Sequence, residues 1–98
     1  MEIQVFGKTN CDKCHFAEEK IKKYLETNMD VIDDAIYPVE VVFKSMDTPE
    51  GLMEGTLRDV SGIPSIFVVK NDIVLYEMRG HVPRKEDLET MLNLVKGE

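Results

Sequence analysis

Two cysteines stand as Cys11-Asp12-Lys13-Cys14, and His15 follows directly. On one face of a helix, a thiol at this spacing can close a disulfide with its neighbour or take over a mixed disulfide formed there, so the pattern suits thiol–disulfide exchange. If Cys11 lies at the mouth of a helix, the unpaired first-turn N–H groups and the positive end of the dipole favour its thiolate, which is the nucleophilic form. Cys11 would then attack and Cys14, one turn further on, would resolve. Lys8 and Lys13 add favourable charge while Asp12 opposes it, and the balance is expected to leave the Cys11 thiol somewhat more acidic than a free one.

The same residues admit other chemistry. A C-x-x-C is half of a zinc site, although only His15 and His81 could complete it, since the chain has no further cysteine. Cys11 to His15 also spells the C-x-x-C-H pattern of haem attachment. Two inert, buried cysteines are the plainest alternative, but Asn10, Asp12 and Lys13 make polar surroundings for them. His15 reads as a solvated helix histidine, His81 as a surface histidine, and the methionines as fillers of gaps in a core.

The elements that must position these groups can be read from spacing. Glu2 to Phe6 is short, carries β-branched Ile3 and Val5, and ends at Gly7, which reads as a strand. From Asp12 to about Asn28, Phe16, Ala17, Ile21, Tyr24 and Leu25 keep helical spacing, with Glu18/Lys22 and Glu19/Lys23 paired on the wet side. Tyr37 to Phe43 reads as a second strand with Pro38 at its start, and Glu50 to Val60, containing Leu52, Met53, Leu57 and Val60, as a short, Gly-interrupted helix. Ser65–Val69 and Ile73–Met78 form a hairpin about Lys70-Asn71-Asp72, where Asn and Asp tolerate positive φ. Gly80 ends it, Pro83 suits a first helical turn, and Leu88, Met91, Leu92 and Val95 mark a closing helix. The expected architecture is α/β in the order βαβαββα, a mixed four-stranded sheet with helices on both faces.

Composition bounds the rest. Ninety-eight residues with 43% hydrophobic positions suffice for one domain, taken as residues 1–98. Twelve basic against 19 acidic side chains leave a net charge of −7 and no basic stripe, which argues against nucleic acid. The longest apolar runs are far short of the roughly 18 residues of a membrane span, and Met1-Glu2-Ile3-Gln4-Val5 does not resemble a secretory signal, so a cytoplasmic location is expected.

Over essentially its whole length the chain resembles the thioredoxin/glutaredoxin superfamily. Val5-Phe6-Gly7-Lys8-Thr9-Asn10-Cys11-Asp12-Lys13-Cys14 is similar to glutaredoxins, including the lysine three residues before the first cysteine. Gly62-Ile63-Pro64-Ser65, Val69-Lys70-Asn71-Asp72, Gly80 and Leu88 are similar to thioredoxins. The resemblance implies a thioredoxin-like fold in which a cis bond precedes Pro64, the Ile63 backbone docks substrate beside the cysteines, and the Gly80-His81 loop lies next to them. It implies catalysis by Cys11 and Cys14, substrate binding by Ile63, Pro64, Lys8 and Gly80, and modulation by Lys13 and His81, with no metal and no cofactor.

Departures from the family refine this. No tryptophan precedes Cys11, and Val5 stands where thioredoxins carry a buried aspartate. Glutaredoxins usually have Pro-Tyr between the cysteines, Thr-Val before the cis-proline and a later Gly-Gly-x-Asp that holds glutathione; here these read Asp12-Lys13, Gly62-Ile63 and nothing comparable. The expected partners are therefore a disulfide-containing protein substrate and a donor resembling thioredoxin reductase rather than glutathione, for a monomer without membrane or nucleic-acid partners. Two alternatives are a metal or iron–sulfur protein using the same cysteines, and a thioredoxin-fold interaction module without catalysis.

Overall fold

A computed structural model describes residues 1–28 and 39–96. Among these, β1 (Glu2–Gly7), α1 (Asp12–Thr27), β2 (Glu40–Ser45), α2 (Pro49–Leu57), β3 (Ser65–Lys70), β4 (Ile73–Arg79) and α3 (Lys85–Val95) follow in the expected order. The strands form one mixed sheet ordered β2-β1-β3-β4. β1 runs parallel to β2 and antiparallel to β3, which pairs antiparallel with β4.

Alternation along the central strands builds two apolar layers. Ile3, Val5, Ile66, Val68 and Met78 pack beneath Ala17, Ile21 and Leu25 of α1 and Leu88 and Met91 of α3. On the other face Phe6, Phe67 and Val69 cluster with Met46 and Val60, the Phe6 and Phe67 rings meeting edge-on at 5.5 Å. The Arg58 and Arg79 guanidinium groups lie 5.4 and 5.2 Å from the Phe67 ring centroid, so cations close part of this layer. Buried Gln4 accepts from Arg58 Nε at 3.0 Å and donates to Glu2 at 2.7 Å.

Four expectations need correction. Phe16 belongs to no buried face: it is 53% exposed, because the inward line of α1 runs through Cys14, Ala17, Ile21 and Leu25. The second strand ends at Ser45 rather than Phe43, since Lys44 and Ser45 pair with Phe6 and Gly7; its expected start at Tyr37 and Pro38 lies outside the described residues. The third concerns the helix expected to end at Val60. α2 stops at Leu57, with Asp59 in the left-handed region (φ 59°) and the Val60 N–H bonded back to Gly55 O, and its apolar residues face outward. Leu52, Met53 and Leu57 are 51%, 66% and 80% exposed, while Gly51 and Gly55 are buried. The helix lies on the sheet through those glycines, through the Glu54–Lys44 ion pair at 3.1 Å and through Arg58 on Gln4.

The hairpin turns as expected, Asn71 and Asp72 having φ of 52° and 66°. Pro83 falls before α3 rather than in its first turn: Arg84 is the N-cap, and the Asp87 carboxylate accepts the Arg84 N–H at 2.9 Å. Asp87 also accepts from Tyr76 Oη at 2.7 Å and lies 3.5 Å from His81 Nε2. Burial pushes the Asp87 carboxyl up, but the Arg84, Tyr76 and His81 contacts outweigh it and hold the group below 3.8. Tyr76 is raised above 10.0, first by its bond to Asp87.

Both shifts have stability consequences. Asp87 contributes stability that is present above the ordinary aspartate value and is lost as pH falls through its lower folded value. Tyr76 contributes stability present below 10.0 and lost as pH rises through its higher folded value. Asp87→Asn should therefore be less stable than the parent near neutral pH, and the deficit should shrink in acid. Urea midpoints of both proteins along the acid limb check this, and parallel curves would refute it.

Candidate active site

Cys11 is the N-cap of α1 with extended backbone, and its sulfur accepts the Cys14 N–H at 3.2 Å. The Cys11 N–H in turn donates to Lys8 O at 3.1 Å, which closes a tight turn between β1 and the helix. The two cysteines are disulfide-bonded, with Cα atoms 5.3 Å apart. Their environments differ: Cys11 is half-buried, whereas Cys14 has no exposed surface. The helix-mouth position read from the sequence is the one the chain adopts.

Gly7 lies directly beneath Cys14. A Cβ at that position would stand 2.5 Å from Cys14 Cβ and 2.6 Å from its Sγ, so the strand end must lack a side chain for the cysteine to seat. Val5 is fully buried and supplies no proton acceptor at its position. Lys8 and Lys13 are exposed. Their charge therefore acts through solvent, and it is the Lys8 carbonyl, not its ammonium, that touches Cys11.

The turn before Cys11 is tied down at Thr9. Its N–H donates to Asp47 Oδ2 at 2.7 Å, its hydroxyl lies 3.3 Å from Ser45 Oγ, and its carbonyl lies 2.7 Å from His15 Nε2. The His15 ring stacks on Phe43, with centroids 4.7 Å apart and planes 11° from parallel. His15 is therefore not the solvated helix histidine expected from the sequence.

The second strand of the site begins at Pro64. The Ile63–Pro64 bond is cis, as expected. Phe6 pairs with Ser65, so extending that register by one residue sets buried Pro64 opposite Gly7 and hence at the end of the sheet where Cys14 sits. Ser65 Oγ donates to Gly62 O at 2.6 Å, and Gly80 N–H donates to Pro64 O at 2.9 Å. Gly80 has φ 79°, a conformation that favours glycine, and a Cβ on Gly62 would come within 3.3 Å of Gly80 Cα. Half-buried Ile63, buried Pro64 and exposed Gly80 thus share one sheet end with the cysteines. His81, beside Gly80, is occupied by Asp87 of α3.

Gly7, Thr9, Asp47 and Phe43 are parts of this arrangement that sequence reasoning missed. Gly7 carried a signal, as a glycine where a strand runs into a reactive turn. Asp47 carried none, being 38 residues from its partner Thr9. Among the described residues no three His, Cys, Asp or Glu side chains gather as a metal site requires.

No protein-family model matches this chain, and no curated protein sequence does. Solved structures match closely in shape. Thioredoxin 1 from the thermophilic eubacterium Thermosipho africanus superposes with a TM-score of 0.72 at 14% identity, over 98% of this chain and 96% of its own. Thioredoxin O2 from Arabidopsis thaliana, in the oxidized state, gives 0.69 at 15% identity over 97% and 74% of the two chains. Thioredoxin f2 from Chlamydomonas reinhardtii gives 0.62 at 15% identity over 95% and 76%. At these identities the likeness establishes the fold. The chain has the thioredoxin fold, and its disulfide-capable C-x-x-C pair stands at the start of α1.

Proposed function

We propose that the protein is a dithiol–disulfide oxidoreductase that reduces disulfides in other proteins. The observation that carries the reading is the inequality of the two sulfurs: Cys11 caps a helix and meets solvent, and Cys14 is sealed behind it. In the reduced protein the Cys11 thiolate attacks one sulfur of the substrate disulfide, and the other substrate sulfur leaves as a thiolate and takes a proton. Cys14 then gives up its proton and attacks Cys11 Sγ, which breaks the mixed disulfide and frees the second substrate thiol. Two electrons and two protons pass to the substrate, and the Cys11–Cys14 disulfide remains.

Ile63 offers backbone groups beside Pro64 to an extended substrate segment, a β-augmentation mode of recognition, with Gly80 leaving room alongside. Lys8 and Lys13 add a modest favourable field, and His81 acts on the neighbouring loop through Asp87. A protein dithiol of the thioredoxin-reductase kind restores the reduced form better than glutathione does. Glutathione brings two carboxylates to a chain of net charge −7, and Lys8 is the cation offered to them. The reading assigns the protein to the cytoplasm, as a monomer; no described helix is long and apolar enough to cross a membrane.

Insulin reduction in the presence of dithiothreitol tests the activity. The parent should accelerate it, Cys11→Ser should abolish the effect, and Cys14→Ser should accumulate a mixed disulfide through Cys11 that reducing agent releases. No acceleration by the parent would refute the reading. Reduction of the oxidised protein should be faster with a thioredoxin reductase than with glutathione, and the reverse order would overturn the donor assignment alone.

A further inference from the structure

We infer that His15 is a positioning residue of the dithiol, holding the Lys8–Cys11 turn through the Thr9 carbonyl so that Cys11 stays within reach of Cys14 when the disulfide is open. This inference rests on the redox reading above. Thr9 has three polar ties, and they do not act alike. The bonds to Asp47 and Ser45 fasten the turn to β2 and the residues that follow it. The bond from His15 fastens it to α1, the helix that carries Cys14, and His15 is the residue next to Cys14 in the chain.

A closed ring results. It runs from Thr9 through Asn10 and Cys11 into the first helical turn and returns from His15 Nε2 to Thr9 O at 2.7 Å. Both sulfurs hang from this ring. The Cys11 N–H bond to Lys8 O and the Cys14 N–H bond to Cys11 Sγ lie within or beside it. Stacking on Phe43 fixes the plane of the imidazole and so aims Nε2 at the carbonyl. An N–H at Nε2 donates in the neutral Nε2 tautomer and in the imidazolium alike, so the tether does not depend on the protonation of His15.

With the disulfide broken, the cross-link between the two side chains is gone, and the His15 bond still ties the turn to the helix alongside the backbone. The stability of an intramolecular disulfide follows the effective concentration of one thiol at the other. Releasing the Thr9 carbonyl lets Cys11 wander, lowers that concentration, and makes the disulfide easier to reduce. The change is one of position, with no new group touching sulfur.

The test equilibrates protein with reduced and oxidised glutathione, the oxidised form taking two electrons and two protons from the dithiol and leaving as two thiols. His15→Phe keeps a ring to stack on Phe43 and loses the donor. His15→Gln loses the stack but carries an amide N–H of similar reach. His15→Phe should lower the equilibrium constant for closing Cys11–Cys14 by about three- to tenfold, the worth of one hydrogen bond. At 29.6 mV per tenfold, this makes the potential less negative by about 15–30 mV. His15→Gln should stay within about twofold of the parent. His15→Leu is the second donor-free variant should His15→Phe not fold, as judged by circular dichroism.

An unmoved potential in the donor-free variants, or a shift in His15→Gln as large as theirs, would overturn the inference. Failure of the parent itself to close the disulfide in these buffers would instead overturn the redox reading beneath it.

Discussion

Iodoacetamide near neutral pH should consume Cys11 of the reduced protein faster than Cys14 by about tenfold or more, because thiolate fraction and access together set the rate. Both factors favour Cys11. It caps α1, where its sulfur receives the Cys14 N–H at 3.2 Å, a bond that strengthens when the acceptor is a thiolate. Cys14 has no exposed surface and lies over the Gly7 backbone. Burial there disfavours its charged form. Mass mapping of singly alkylated protein gives the answer directly. Equal labelling of the two cysteines in folded protein would remove the basis for assigning nucleophile and resolving thiol.

Gly7→Ala should be a damaging single-methyl change directly beneath the dithiol. The added carbon would stand 2.5 Å from Cys14 Cβ, 2.6 Å from Cys14 Sγ and 3.2 Å from Phe43 Cζ. None of these can step aside cheaply: Cys14 belongs to a helix packed on the sheet, and Gly7 is held by ladder pairing with Ser45. Overpacking of this kind costs about 1–3 kcal/mol. Gly55→Ala is the control. Its methyl would meet the flexible Met46 side chain, closest at Cε, 2.7 Å away, and Ala gains about 1 kcal/mol over Gly in a helix interior. Urea denaturation should show a clear loss for Gly7→Ala and a change near zero for Gly55→Ala. Similar losses at the two positions would mean that helix propensity, not contact with Cys14, governs Gly7.

The sequence discloses what side chains do close to one another. The period of Ala17, Ile21 and Leu25 reports the face that α1 buries, Asn71-Asp72 reports its turn, and Cys11 with Cys14 reports the chemistry. What it hides are contacts made by backbone or across long separations. α2 leaves Leu52, Met53 and Leu57 exposed, and hydropathy does not register that Gly51 brings the helix backbone against the Ser45 carbonyl. Thr9 reaches Ser45 and Asp47, 36 and 38 residues away, and no local pattern announces such a pair. His15 was misjudged for a related reason: its partners, Thr9 O and the Phe43 ring, are a carbonyl every residue possesses and an aromatic on another strand.

The sheet order β2-β1-β3-β4 puts β1, the first strand in the chain, next to the middle of the sheet. During synthesis β1 therefore leaves the ribosome with both of its hydrogen-bonding edges bare. One edge is covered only when β2 has emerged and run back parallel to it, the other only when β3 follows, more than sixty residues after Glu2 by the pairing of Glu2 with Val69. An arrested nascent chain that ends between β2 and β3 would present Ile3, Val5 and Phe6 on a strand with one open edge, a template for pairing with any other extended chain. Protection of that edge in the cell thus depends on how promptly the translating ribosome delivers the second half of the fold.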